Sequence, residues 1–239
     1  MAGHALMALS VSQSVALGSI LKPGMRVASL GYPDLIAPVP DVPGLTYRED
    51  SEAICKRHGL SLRRIPDAES YFALQGCKLD VYDVVKERGC EIPIDLNSEY
   101  PMGIWPEYDI VLDVGTAEHC FNIGQAMKTM AGMVNMGGYI IHENPANCMN
   151  HGFYNLSPTF FFDFYAANGF EMLDLRLVNK RGESAAVPPT HRFKYTESEV
   201  NVFAMARRTA MQAFVWPVQS KYAKLIPVAG ARAENKEAA

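Results

Sequence analysis

Short apolar runs alternate along this chain with segments whose apolar positions recur at helical spacing. The runs predict strands at 25–31, 78–84, 90–97, 108–115, 138–145, 171–179 and 200–208. The helical spacing predicts helices over 1–21, 48–59, 117–134 and 157–170. Strands that alternate with helices indicate an α/β fold, a doubly wound, Rossmann-like and mostly parallel seven-stranded sheet with helices on both faces.

Several residues mark where these elements begin and end. Gly137 and Gly138 are expected to stop the helix over 117–134, and Ser157 followed by Pro158 is typical of a helix start. The polar stretch 181–199 and the proline-rich stretch 32–44 predict loops. We interpret residues 1–228 as one domain and residues 229–239 as a disordered tail.

Composition narrows the class of protein. A chain of 239 residues fits one large domain, and its net charge of −4 supplies no general attraction to nucleic acid or to an anionic membrane. No run of about 18 apolar residues predicts a membrane span. The first 21 residues are apolar, but Lys22 is the first basic residue, so a helix is favoured over a signal peptide.

The cysteines point to a reducing compartment. They are odd in number, and no two have the spacing of a metal-binding pair: Cys55, Cys77, Cys90, Cys120 and Cys148. This favours free thiols in a cytoplasmic protein over a disulfide framework or a zinc ribbon.

Polar residues recur where predicted strands end. The segments SLGYPD, IDLN, DVGTAEH and HENPAN each follow an apolar run. Ligands of doubly wound sheets bind outside the carboxyl ends of the strands, so these segments predict a binding edge. The alternative for Asp113 and Glu118 is that they cap the following helix, because the first turn of a helix favours acidic residues.

Two blocks carry a resemblance to a known family. YDIVLDVGTAEHCFNIGQAM (108–127) and VNMGGYIIHENPANCMNHGFYNLSP (134–158) resemble the fourth-strand and fifth-strand segments of class I S-adenosylmethionine-dependent methyltransferases. The closer similarity is to a bacterial subset with a glycine-poor first loop, often associated with sugar or polysaccharide modification. The resemblance runs from about residue 25 to residue 208.

The resemblance implies S-adenosylmethionine as the cofactor and a set of residues that bind it. In the first loop these are Gly31, Tyr32 and Asp34, and at the end of the second strand Asp80, with Asp83 as the second choice, would accept the ribose hydroxyls. Asp95 and Leu96 would contact the adenine, and Asp113, Gly115 and Glu118 would border the methionine end.

The first loop departs from the standard family pattern. It reads SLGYPDL and has one glycine where standard members have a glycine-rich turn. A dinucleotide needs close backbone approach to its pyrophosphate, whereas S-adenosylmethionine has no phosphate. The loop therefore argues against a nicotinamide cofactor.

Methyl transfer to a hydroxyl benefits from a nearby base, and histidines stand in the predicted binding edge. We expect His119 to be this base, His151 to be the second candidate, and Glu118 to orient the cofactor or the imidazole. Each histidine can equally be a structural hydrogen-bonding residue. The residues expected to bind substrate are His142, Glu143, Asn147 and Tyr154. A metal site through His142, Glu143 and His151 is disfavoured because the spacing matches no standard ligand pattern, so no metal is expected.

The predicted function is methyl transfer to a hydroxyl, or an amine, of a small molecule or sugar. No nucleic-acid or membrane partner is expected, and a homodimer is compatible with the sequence. Two alternatives stay open at this stage: an inactive protein of the same fold that binds or senses S-adenosylmethionine, and a nucleotide-sugar or dinucleotide oxidoreductase, which the absence of GxGxxG after the first strand disfavours.

Overall fold

The computed structural model describes residues 8–101, 107–195, 197 and 199–223, and its centre is a large mixed sheet. The strands are β1 (Ala8–Leu9), β2 (Arg26–Leu30), β3 (Asp34–Leu35), β4 (Lys78–Asp83), β5 (Ile92–Pro93), β6 (Tyr108–Asp113), β7 (Val134–Pro145), β8 (Phe170–Val178), β9 (Ser184–Ala186) and β10 (Asn201–Arg208). The helices are α1 (Val11–Ile20), α2 (Ser51–Arg57), α3 (Ala68–Leu74), α4 (Ile123–Met133), α5 (Pro158–Ala167) and α6 (Ser220–Ala223), with a 3₁₀ turn over Ala117–His119.

The sheet order is β5-β4-β2-β6-β7-β10-β8-β9, and β1 pairs with β3 separately. The pairs from β5 to β7 are parallel, whereas β10 is antiparallel to both of its neighbours, β7 and β8. The expectation of an α/β fold with a large central sheet is therefore confirmed, while the sheet is mixed and only its half from β5 to β7 is parallel. The strand count of seven is wrong for the described residues, because β9 adds an eighth strand inside the stretch predicted as a loop.

The two faces of the sheet carry separate parts of the core. Along β6, Val111 packs with α4 and α5, while Ile110 and Leu112 pack with α1 and α3 on the opposite face. This follows from the two-residue period of a strand, and burial on both faces explains why the β6 segment is a nearly continuous apolar run. The central strands therefore hold their carboxyl ends in a fixed position.

The predicted helix over 117–134 is divided in two. Its first residues form the 3₁₀ turn, and α4 begins after Asn122, whose side chain accepts a hydrogen bond from Gln125 N. The helix ends at Met133 because β7 starts at once, so the predicted stop at Gly137 and Gly138 is wrong. Gly138 lies inside β7, where an added Cβ would stand 2.6 Å from Asn135 Oδ1.

Other elements are shorter than the sequence predicts. The strand predicted over 90–97 is reduced to β5, where Pro93 has no amide hydrogen to donate and lies at the sheet edge. The N-terminal helix is α1, which begins with a capping box between Ser10 and Gln13. Residues 1–7 and the predicted tail 229–239 lie outside the described residues, so the single domain 1–228 and the disordered tail stay predictions.

None of the helices in the described segments is both long enough and apolar enough to cross a bilayer.

Candidate active site

The chain reverses its direction of winding between β2 and β6. From β2 it proceeds to β4 on one side, and it later returns to place β6 on the other side. Gly31 and Gly115 follow the two strands, with φ of 84° and 92° that favour glycine. Thr116 Oγ1 donates to Leu30 O at 2.6 Å and joins the two strand ends. Ligands of doubly wound sheets bind at such a switch point, so this edge is the candidate site.

Asp113 is the centre of a buried polar group at the end of β6, which we call the inner network (Asp113, His142, Asn144 and Tyr165). The Asp113 carboxylate is fully buried and receives His142 Nδ1 at 2.7 Å, Asn144 Nδ2 at 2.9 Å and Thr116 N at 2.8 Å. Burial alone would raise the pKa of this carboxyl, but the hydrogen bonds, led by His142, outweigh it and lower the pKa. Asp113 is thus a structural anion beneath the site.

His142 belongs to the same network and does not face a substrate. Its side chain is fully buried, its Nε2 is 2.5 Å from Tyr165 Oη, and its ring is 5.0 Å from that of Phe161. Because both ring nitrogens are engaged inside the core, the expectation that His142 binds substrate is wrong. The pairing register places His142 opposite Asp113, the last residue of β6, and three residues before the end of β7.

Glu118 is the centre of a second group, which we call the outer cluster (Glu118, His119 and His151). Its carboxylate is buried, and Asn144 Nδ2 donates to Oε2 at 2.8 Å. The other oxygen, Oε1, lies 3.4 Å from His151 Nε2 and 3.9 Å from His119 Nε2. Asn144 therefore bridges the two carboxylates and leaves one oxygen of Glu118 toward the imidazoles.

The two histidines of the outer cluster lie side by side and differ in their partners. Their ring centroids are 5.3 Å apart. His119 Nε2 is buried without a hydrogen-bond partner among the described residues. The hydrogen bond to Glu118 raises the pKa of His151, although burial opposes this shift. The predicted candidates Glu118, His119 and His151 are thus brought together.

The loop after β7 is held against Glu118 by its backbone. Phe153 N donates to Glu118 O at 2.9 Å, and an added Cβ on Gly152 would stand 2.8 Å from the same oxygen. Gly152 is therefore needed for the close approach that positions His151. This contact between distant segments explains why two loops form one cluster.

A cavity of about 450 Å³ opens beside the outer cluster. Gly115, Glu118, Glu143 and His151 line one side, and the start of α1 and the end of β8 close the other. Glu143 accepts Ser10 Oγ at 2.5 Å and Asn201 Nδ2 at 3.2 Å, and burial raises the pKa of its carboxyl. The expectation that Glu143 faces a substrate is compatible with this position.

The first-loop residues have structural partners. Asp34 is buried and receives two hydrogen bonds from the Arg88 guanidinium, at 2.8 and 3.3 Å. The same guanidinium lies 4.2 Å above the ring of Tyr32, whose hydroxyl donates to Asp67 at 2.7 Å. The side chains of Tyr32 and Asp34 are therefore engaged in structural contacts, and the backbone of Gly31 is held by hydrogen bonds with Tyr82 O and Ser29 Oγ.

Asp80 and Asp83 occupy different levels of β4. Asp80 pairs in register with Ala28 and receives Arg26 Nη2 and Lys78 Nζ, each at 3.1 Å. It lies in mid-strand, so the preference for Asp80 as the strand-end carboxylate is wrong. Asp83 is the last residue of β4 and is only partly buried.

The remaining expected contacts lie on exposed turns. The Asp95 carboxylate accepts Asn97 N at 2.9 Å and Ser98 Oγ at 3.0 Å, as a turn-forming aspartate does, while the neighbouring Leu96 is buried. Asn147 Nδ2 donates to Glu197 O, and Tyr154 Oη donates to Phe121 O. Asn147 lines a second cavity, and it and Tyr154 stand apart from the cavity beside the outer cluster.

Some site residues escaped sequence reasoning. Asn144 lies in the segment HENPAN, yet only its position between two carboxylates shows its role. The spacing of Ser10 and Gln13 is typical of a capping box, which the structure contains. In addition, Gln13 Nε2 donates to Asp113 O at 2.9 Å. The start of α1 is thereby tied to the end of β6.

Comparisons with known proteins give similar folds only. No protein-family model and no curated protein matches the chain. Among solved structures, TehB from Haemophilus influenzae has a TM-score of 0.49 and 12% identity over 83% of this chain, and this chain spans 62% of it. The N-methyltransferase NodS from Bradyrhizobium japonicum, in complex with S-adenosyl-L-homocysteine, has a TM-score of 0.47 and 12% identity over 82% of this chain and 83% of its own.

The cyclase SpnF is also similar, with a TM-score of 0.45 and 11% identity over 82% of this chain and 78% of its own. Because such similarity is too distant to carry a function, the chemistry has to be argued from the side chains of this chain.

Proposed function

We propose that the protein is an S-adenosylmethionine-dependent methyltransferase whose acceptor is a hydroxyl, or an amine, of a small polar molecule such as a sugar. The observation that carries this proposal is the outer cluster. Glu118 and His119 follow Gly115 at the switch point, and Glu118 and His151 line a cavity of about 450 Å³, a size suited to a small ligand.

The switch point fits the cofactor that the sequence resemblance implies. Gly31 and Gly115 follow the two strands that flank the switch point, with φ of 84° and 92°, and Gly115 lines the cavity beside the outer cluster. Asp83 ends the adjacent strand, where a carboxylate can accept both hydroxyls of a ribose, and Asp95 and Leu96 follow the next strand. S-adenosylmethionine, when bound, supplies a methyl group already activated by its sulfonium.

The acceptor side is the cavity beside the outer cluster. Its lining includes the carboxylate of Glu143, the amide of Asn201 and the hydroxyl of Ser10, which are groups that hydrogen-bond hydroxyls. The charged side chains of Lys180 and Arg181 stand at the same cavity. A polar acceptor with several hydroxyl groups suits this lining better than an apolar one.

The outer cluster activates the acceptor. Transfer of a methyl group to a hydroxyl forms a carbon–oxygen bond, breaks the sulfur–carbon bond and releases the hydroxyl proton. His119 is proposed as the group that takes this proton, because its buried Nε2 has no partner among the described residues. His151 is the second candidate, and Glu118 orients both imidazoles.

The test is incubation of the chain with S-adenosylmethionine carrying an isotopically labelled methyl group. A panel of sugars, nucleotide sugars and small amines, followed by a metabolite extract, is offered as the acceptor, and labelled products are detected by mass spectrometry. We expect a labelled product from at least one polar acceptor and a loss of that product in His119→Ala. Binding of the cofactor without any labelled product would instead favour a sensing or binding protein of this fold.

A further inference from the structure

The outer cluster has the composition of a metal site. One carboxylate and two imidazoles place their ligand atoms within 4.8 Å of one another. Two histidines with one carboxylate form a recurrent ligand set for zinc and for other divalent transition metals that keep open coordination positions. The sequence did not reveal this set, because the metal hypothesis weighed there used His142 and Glu143 in place of Glu118 and His119.

The distances between the ligand atoms are close to those around a small cation. Ligand atoms about 2.1 Å from a tetrahedral zinc ion lie about 3.4 Å from one another. Glu118 Oε1 is 3.4 Å from His151 Nε2 and 3.9 Å from His119 Nε2, and the ligand atoms of all three residues lie within 4.8 Å of one another. Binding of a cation therefore requires the partly exposed imidazole of His119 to move closer to the other two ligands.

The surroundings of Glu118 orient it as a ligand. Asn144 donates from one amide group to Glu118 Oε2 at 2.8 Å and to Asp113 Oδ2 at 2.9 Å, which fixes the carboxylate with Oε1 toward the two imidazoles. Such a supporting hydrogen bond typically tunes a metal ligand. His119 Nε2 is buried and has no hydrogen-bond partner among the described residues, so this nitrogen is available as the third ligand atom.

From this arrangement we infer that Glu118, His119 and His151 bind one divalent transition-metal cation, such as Zn²⁺ or Mn²⁺, whose open positions face the cavity. The role of the cation rests on the proposed function, whereas its binding does not. In the metal-bound protein both imidazoles are ligands, so proton transfer to His119 is replaced by activation at the cation. The cation would lower the pKa of an acceptor hydroxyl that binds an open position. The hydroxyl proton then leaves to solvent through the cavity.

The test is titration calorimetry of chelator-treated full-length protein with Zn²⁺ and with Mn²⁺, in the absence of S-adenosylmethionine. We expect one equivalent of at least one cation to bind, and His151→Ala to weaken this binding by at least about 10-fold. The double variant H119A/H151A should abolish it, while the exposed His191→Ala serves as the matched histidine control and should bind as the wild type does. Cobalt substitution gives a second readout, because its visible spectrum reports nitrogen and oxygen ligands.

The inference is overturned if the wild type binds neither cation, or if the double variant binds as tightly as the wild type. Thermal unfolding of each variant shows whether it is folded. The titration contains no cofactor and no acceptor, so its result does not depend on the proposed function. Metal binding without methyl transfer would refute the proposed function alone. Methyl transfer that survives thorough chelation refutes the role of the cation alone.

Discussion

Two buried carboxylates near the end of β6, those of Asp113 and Glu118, differ in the groups that their oxygens contact. Asp113 belongs to the inner network, where both oxygens accept hydrogen bonds from buried groups. Glu118 belongs to the outer cluster, where one oxygen is held by Asn144 and the other faces two partly exposed histidines. The comparison shows that two acids of the same short segment DVGTAEH, both almost fully buried, differ in the partners of their oxygens, and only Glu118 has an oxygen toward partly exposed side chains.

The largest effect is expected from Asp113→Ala. This change leaves His142 and Asn144 without their acceptor inside the core, so the free energy of unfolding should fall by about 3–5 kcal/mol. Urea denaturation measures it. Glu118→Gln, which keeps an acceptor for Asn144, is the matched variant in the outer cluster and should cost much less stability. Equal losses in the two variants would remove the distinction between the groups.

His119→Ala tests whether the outer cluster contributes to turnover. Turnover should fall by roughly 10²–10⁴, the usual range for loss of one acid–base group, because the group that activates the acceptor is lost. Affinity for S-adenosylmethionine, measured by calorimetry, should change little. Normal turnover combined with weakened cofactor binding would make His119 a cofactor-binding residue and pass the activating role to His151.

Gly152→Ala tests the contact that unites the outer cluster. An added Cβ meets Glu118 O at 2.8 Å and Glu118 Cγ at 2.9 Å, so the loop has to move and carry His151 with it. We expect a loss of about 1–3 kcal/mol in stability, together with slower turnover. Gly18→Ala is the control, since nothing lies within 4 Å of a Cβ at that helical position. Full activity in Gly152→Ala would show that the position of His151 is unimportant.

The smallest effect is expected on cofactor affinity, from substitution of the two aspartates of β4, Asp80 and Asp83. Asp83→Ala should weaken S-adenosylmethionine binding by about 1–3 kcal/mol if this carboxylate accepts the ribose hydroxyls. Asp80→Ala, which removes an ion pair with Arg26 and Lys78 in mid-strand, should leave the affinity unchanged. The reverse order would restore the assignment made from the sequence.

Sequence reasoning found most of the sheet because its central strands are nearly continuous apolar runs. The segments of β2, β4, β6, β7, β8 and β10 were all predicted with small errors at their ends. The sequence missed β9, whose three residues are all exposed and carry no apolar pattern. The strand β10, which is antiparallel to β7 and β8, looked like any other strand in the sequence, because strand direction is set by tertiary pairing.

The sequence predicted the location of the candidate site better than it predicted which residues form it. Polar residues after apolar runs correctly marked the carboxyl edge of the sheet. Local spacing cannot show depth, however, so His142 looked as accessible as His119 although the register of β7 places it beside Asp113 in the core. The contact of Glu118 with His151 joins two distant loops, and no periodicity records such a contact.

Calorimetric titration of the wild-type chain tests whether the switch point between β2 and β6 binds S-adenosylmethionine. We expect saturable binding of one equivalent of S-adenosylmethionine, equal stoichiometry for S-adenosylhomocysteine, and no binding of NAD. Absence of binding by both S-adenosyl compounds, or binding of NAD in their place, would contradict it.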